Sequence, residues 1–168
     1  MPKPELDQRY SSPGARPPKW SEVEAVLVAA EMFWLSTVRG DGRPHVTPLP
    51  AIWYAGRLHI ATGHGEQKAK NLAAQPHCVL TTGTDLMNSG LDVVVEGAAT
   101  RVTDTETLNA LAQLWKTKLN WDYRVGDGEF VMAGDVVAGV YGITPHKVLA
   151  FGKGEPFTQT RFRFESSE

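Results

Sequence analysis

The sequence predicts a mainly β fold, a closed or nearly closed barrel with flanking α-helices. Three observations carry this reading. Six or more extended segments are joined by tight turns, helical periodicity is confined to short connecting stretches, and the last segment, Thr158 to Phe164, alternates strictly enough to close a sheet. A chain of 168 residues with 42% hydrophobic side chains has enough apolar material for the core of one domain. That domain is expected over residues 20–168.

Residues 1–19 hold five prolines and no apolar periodicity, so they read as an arm or disordered tail. Ser21 and Glu24 have the spacing of a capping box, and Val23, Val26, Leu27 and Ala30 continue at helical intervals, predicting a helix over 21–31. Phe33 to Val38, the turn Gly40-Asp41-Gly42 and the extended His45 to Tyr54 predict a hairpin. Pro48 and Pro50 cannot donate to a ladder, which places the second strand at an edge or on a bulge whose free backbone groups could meet a ligand.

Arg57 to Leu80 reads as strand, loop, helix, strand. Arg57 to Thr62 alternates, Gly63-His64-Gly65 permits a turn, and Ala69, Leu72 and Ala73 repeat at helical steps until Pro76 stops them. Lys68 lies one turn inside the helix start, where free amides make a positive pole suited to phosphate. In a free protein its charge opposes the helix dipole. A solvated lysine on an ordinary connection is the other reading of the same residues. No Walker loop or Rossmann fingerprint is present.

Further on, Thr81 to Gly90 reads as a loop and Leu91 to Val102 as a long strand bent at Gly97. Thr103 and Glu106 have capping-box spacing before a helix with Leu108, Leu111, Leu114, Trp115 and Leu119 on one face. Asn120 to Glu129 is expected as a loop, and Val136 to Ile143 and Lys147 to Phe151 as two strands.

The net charge of −2 gives no electrostatic reason to expect nucleic acid or an anionic membrane as partner. The start lacks the apolar core of a secretory signal, and no apolar run nears the roughly 18 residues of a membrane span, so a soluble, cytoplasmic protein is expected. Cys78, the single cysteine, is expected as a buried, inert thiol. His45, His59, His64, His77 and His146 show no metal-ligand spacing, and no metal is expected. His64 in the glycine loop is a solvated histidine or a phosphate contact. Ser36 and Ser89 lack nucleophile context. Arg161 and Arg163 alternate on one strand, so at most one serves a given pocket.

The order of a hairpin, a strand ending Ala61-Thr62-Gly63, the run Lys68-Ala69-Lys70-Asn71-Leu72, Gln75-Pro76 and a valine-rich strand resembles the flavin-binding split barrels related to pyridoxamine 5′-phosphate oxidase. The ending Phe151-Gly152-Lys153-Gly154-Glu155-Pro156-Phe157-Thr158-Gln159-Thr160-Arg161-Phe162 is similar to a branch that uses FMN or the deazaflavin coenzyme F420. This likeness spans roughly residues 21–165. It implies a split barrel binding FMN or F420 at the interface of a homodimer. Thr62, Gln67 and Lys68, with Asn71 in the same motif, would hold the phosphate. Val46, Thr47 and Pro48 would face the ring, and Phe151 and Arg161 would reach it from the other subunit.

The implied activity is hydride transfer to or from a small-molecule substrate, with no catalytic side chain required. A non-catalytic carrier or sensor of such a cofactor, or of haem, is the alternative. The chain departs from the oxidase where Phe157 and Gln159 stand in place of its substrate-binding arginine and histidine. Thr47, Ile52 and Asp92 replace cofactor contacts. Oxidation of pyridoxamine phosphate is therefore not expected.

Overall fold

The computed structural model describes residues 1–164. Its elements in chain order are β1 (Pro4–Leu6), α1 (Trp20–Ala29), β2 (Met32–Val38), β3 (Pro44–Pro50), β4 (Ile52–Tyr54), β5 (Arg57–Thr62), α2 (Gln67–Ala74) and β6 (His77–Thr82). They continue as β7 (Gly90–Val102), α3 (Thr105–Leu119), β8 (Arg124–Gly126), β9 (Glu129–Val131), β10 (Val137–Lys153) and β11 (Thr158–Arg163). Every strand pair is antiparallel.

The main path of the sheet runs β1-β11-β10-β7-β6-β2-β3, with β5 also pairing β10 and β4 pairing β5. Strand β10 is the spine. Its first part, Gly139 to Ile143, pairs with β5, and its later part, Lys147 to Gly152, with β11. Strand β7 runs beside both parts. The sheet thus forks along one strand, and its far ends, β3 and β4, are joined through the fully buried Ala51. The result is a split barrel, the class expected from the sequence.

Four local expectations differ from the structure. The predicted two strands over 136–151 are one 17-residue strand, because a register shift between Pro145 and Lys147 absorbs the proline without ending the ladder. The single strand expected over His45 to Tyr54 is two, which pair with β2 and β5 respectively and make a barrel corner. The expected loop 120–129 holds β8 and the turn of a hairpin with β9, made by Asp127 and Gly128 at φ 53° and 75°. The N-terminal arm is ordered over Pro4–Leu6 as an edge strand on β11.

Helix starts differ in detail as well. In α1 the Lys19 N–H donates to Glu22 Oε2 at 2.6 Å, two residues ahead of the expected box, while Glu24 accepts from Trp53 Nε1 at 3.0 Å. In α3 the cap is Asp104, whose carboxylate accepts from the Thr107 N–H at 2.8 Å.

The alternation of the strands builds two cores. Inside the barrel, Phe33, Leu35, Leu58, Ile60, Leu80, Val95, Ile143, Val148 and Phe162 are fully buried, and Trp20 of α1 closes one end edge-on to Phe162 at 5.4 Å. On the outer side of β5 and β10, Leu108, Leu111 and Trp115 of α3 pack on Ile52, Val102, Phe130 and Val140. Cys78 is buried as expected, and burial pushes its thiol up to about 12.

Gly97 stands opposite the register shift, where an added Cβ would lie 2.4 Å from the Thr144 carbonyl oxygen. Gly97→Ala is expected to cost about 1–3 kcal/mol in urea unfolding, because backbone must move to admit it. An unchanged midpoint would show that the bulge relaxes freely.

His59 on β5 is 2% exposed with Nδ1 unpartnered, and burial pushes its pKa down to about 4 from 6.5. The unfolded chain therefore binds a proton that the folded chain refuses. Its contribution is whole above pH 6.5 and is lost as pH falls toward 4, by about 3 kcal/mol. Urea unfolding at pH 7 and 4.5 checks this, and His59→Gln is expected to flatten that slope.

Candidate functional site

Strand β5 ends at the buried Thr62, and the chain turns through Gly63-His64-Gly65 into α2. Neither glycine uses positive φ. What the turn presents is the Gly63 N–H, which donates to Glu66 Oε1 at 2.9 Å. The Thr62 hydroxyl donates to the same oxygen at 3.1 Å, and the Lys68 ammonium pairs with Glu66 Oε2. Lys68 is thus paired in the free protein and does not stand alone against the helix dipole. His64 Nε2 lies 2.8 Å from Glu129 Oε1, which also accepts from Arg101 at 3.2 Å, so the loop is docked on β9.

Asn71 is 2% exposed and engaged at both ends. Its Nδ2 donates to Thr37 Oγ1 at 2.9 Å, and its Oδ1 accepts from the exposed Gln67 at 2.7 Å. The bond to Thr37 fastens α2 to β2, and Thr37 is paired with His45, the residue before Val46. Thr62, Gln67, Lys68 and Asn71 therefore stand together, beside the start of β3.

Strand β3 is an edge, as its prolines predict. Pro44, Val46, Pro48 and Pro50 face Val38, Ser36, Trp34 and Met32. A proline has no N–H, so these are the wide pairs, whose backbone groups point away from β2. Three of the four outward nitrogens on β3 are proline nitrogens, and Val46 supplies the single outward N–H. The carbonyls of Val46 and Pro48 flank it, with Thr47 between them.

The outer face of the main sheet is continuous. Pro48, Trp34, Thr81, Val94, Leu149, Arg161 and Glu5 are successive partners across it. Met32, Trp34, Val38 and Val46 are 51%, 54%, 41% and 55% exposed there. A hollow of about 850 Å³ on this side is lined by Trp34, Asp92, Phe151 and the loop after β6.

Phe151 and Arg161 are not brought to the cradle within one chain. Thr62 pairs with Gly139 of β10, and Phe151 lies at the other end of that strand, twelve residues or roughly 40 Å along it at about 3.3 Å per residue, with Arg161 beside Leu149 on β11. Arg161 is also held by Glu5 of β1, at 2.6 and 3.0 Å. Ile52, in place of a cofactor contact, is buried under α3.

Sequence reasoning missed Glu66, Thr37 and Trp34. The signal for Trp34 was present: β2 is apolar on both faces, which a solvated hairpin does not require. Glu66 was visible as an acid two residues before Lys68.

Thr62, Gly63 and Lys68 form a donor set that fits an oxyanion, since they already hold one, the carboxylate of Glu66. Fold and site together define a split-barrel protein with an anion cradle at the start of α2. The model of the pyridoxamine 5′-phosphate oxidase family matches residues 20–149, and the chain belongs to that family. No curated protein matches the chain.

Solved structures share the fold. A conserved hypothetical protein of Mycobacterium tuberculosis is 18% identical with a TM-score of 0.65, over 80% of this chain and 85% of its own. An FAD-binding protein of Mesorhizobium loti is 17% identical with a TM-score of 0.62, over 89% and 97%. A haem-binding protein of Mycobacterium smegmatis is 16% identical with a TM-score of 0.60, over 86% of this chain and 58% of its own. Among the described residues no helix is long and apolar enough to cross a membrane.

Proposed function

We propose that the protein is an oxidoreductase that binds a flavin or deazaflavin, FMN or coenzyme F420, and moves hydride between it and a small organic substrate. The observation that carries this reading is the convergence of the Thr62 hydroxyl, the Gly63 N–H and the Lys68 ammonium on one oxyanion position. Such a set suits the phosphate that both cofactors bear. When bound, the ring supplies the hydride chemistry. The chain's part is to hold the phosphate at the start of α2 and to orient the ring along β3, with the Val46 N–H as the edge donor. Family membership and the flavin named for the Mesorhizobium protein support a flavin-type ligand.

Two copies pair through the exposed face of β2 and β3, so that Phe151 and Arg161 of one copy approach the ring held by the other. Their separation along β10 and β11 from the partner of Thr62 within one chain and the exposed Trp34 and Val46 support a composite site. Phe157 and Gln159 offer no cation to a pyridoxal phosphate, so the substrate is of another class.

Equilibrium titration with FMN and F420 tests the ligand. Stopped-flow reoxidation of the reduced complex by quinones, unsaturated lactones and tetrapyrroles tests the activity. An acceptor that reoxidises the bound cofactor faster than the free one supports the enzyme. A complex that no acceptor reoxidises faster is a carrier, and a Soret band in purified protein identifies haem as the ligand.

A further inference from the structure

Each donor of the cradle is engaged by a single side chain of the same protein. Glu66 Oε1 accepts from Gly63 N at 2.9 Å and from Thr62 Oγ1 at 3.1 Å, and Oε2 pairs with Lys68. Partial burial raises the Glu66 carboxyl, but the bonds from Lys68, Gly63 and Thr62 outweigh it and hold the group below its usual range. It is therefore charged at neutral pH.

Helix capping does not account for this placement. Glu66 is the residue before α2, yet its side chain makes no cap bond to the helix and folds back on the loop instead. A carboxylate offers the charge and the paired oxygens of a phosphate edge. The two anions cannot share one set of three donors. The Glu66 side chain is half exposed, so it has open solvent to leave into.

We infer that Glu66 is a built-in competitor, which a cofactor phosphate must displace. It is thus a residue that sets how strongly the site distinguishes phosphorylated cofactors from phosphate-free ones. This rests on the cradle proposed above. Breaking the bonds of Glu66 subtracts from what the phosphate gains, so the native chain binds its cofactor less tightly than its donors allow. Removing the competing charge, while the donors stay, raises affinity for the phosphorylated form alone.

The test compares native protein, Glu66→Gln and Glu66→Ala by fluorescence titration with FMN against riboflavin, and with F420 against its phosphate-free deazariboflavin. Glu66→Gln keeps an acceptor for Gly63 and Thr62, and thermal melts confirm that the variants fold. The phosphorylated form is expected to bind at least tenfold more tightly to both variants, with the phosphate-free form within twofold of native. Adding Lys68→Ala to Glu66→Gln is expected to remove the gain. Native protein that prefers FMN to riboflavin, with variants that bind FMN equally or more weakly, overturns the competitor role and leaves the cradle standing. Native protein and variants that all bind each phosphorylated cofactor no more tightly than its phosphate-free partner, or that bind none of the four, overturn the cradle and the inference with it.

Discussion

Lys68→Ala is expected to weaken FMN or F420 binding by ten- to a hundredfold while leaving the phosphate-free analogues unaffected. A charge-assisted bond to phosphate is worth roughly 1.5–3 kcal/mol, which is that range of affinity. The side chain is 12% exposed, so the contact is partly shielded from solvent screening. The free protein should change little. Lys68 is paired with a half-exposed Glu66, a contact worth at most about 1 kcal/mol, and Glu66 keeps its bonds to Gly63 and Thr62 without it. Titration and a melting curve of the cofactor-free variant check both halves. Affinity within twofold of native would mean that Lys68 is a solvated lysine.

Trp34→Glu is expected to convert a dimer into a monomer and to abolish tight cofactor binding with it. Trp34 is 54% exposed in the apolar patch at the β2–β3 end of the outer face, between Pro48 and Thr81. An aromatic at the centre of a patch is the kind of side chain that dominates association, where truncation alone commonly costs 2 kcal/mol or more, and a buried unpaired carboxylate costs further. The fold should survive, because the position is solvated within one chain. Sedimentation over a concentration series checks this. Native protein that sediments as a monomer and still binds cofactor would sink the composite site.

The barrel was legible in the sequence because its strands alternate and its turns carry glycine, proline and aspartate. Pro48 and Pro50 announced an edge, and β3 is one. The errors fall where tertiary contacts override local pattern. Residues 136–143 and 147–151 read as two strands, but Gly97 opposite Pro145 lets the backbones approach and one strand continues through both. Ser21 and Glu24 have the spacing of a cap, yet Glu24 is taken by Trp53 from another element. The arm could not be read as a strand, since Pro4–Leu6 owes its form to the free edge of β11.

The candidate site was legible as positions along the chain and not as contacts. Thr62, Gln67, Lys68 and Asn71 fall together because one strand, one loop and one helix turn hold them. That Asn71 bonds Thr37, that Arg161 bonds Glu5 and that Glu66 fills the cradle depend on side chains meeting in space. Spacing put Glu66 near Lys68 but carries no trace of the long-range meetings of Asn71 with Thr37 and of Arg161 with Glu5.

A crystal structure of the protein loaded with FMN or F420 tests the central claim most directly. The account predicts phosphate oxygens within hydrogen-bond distance of Thr62 Oγ1, Gly63 N and Lys68 Nζ, the Glu66 carboxylate turned out to solvent, and the ring along β3 against a second copy. Phosphate density elsewhere, with Glu66 still on its three donors, would contradict it.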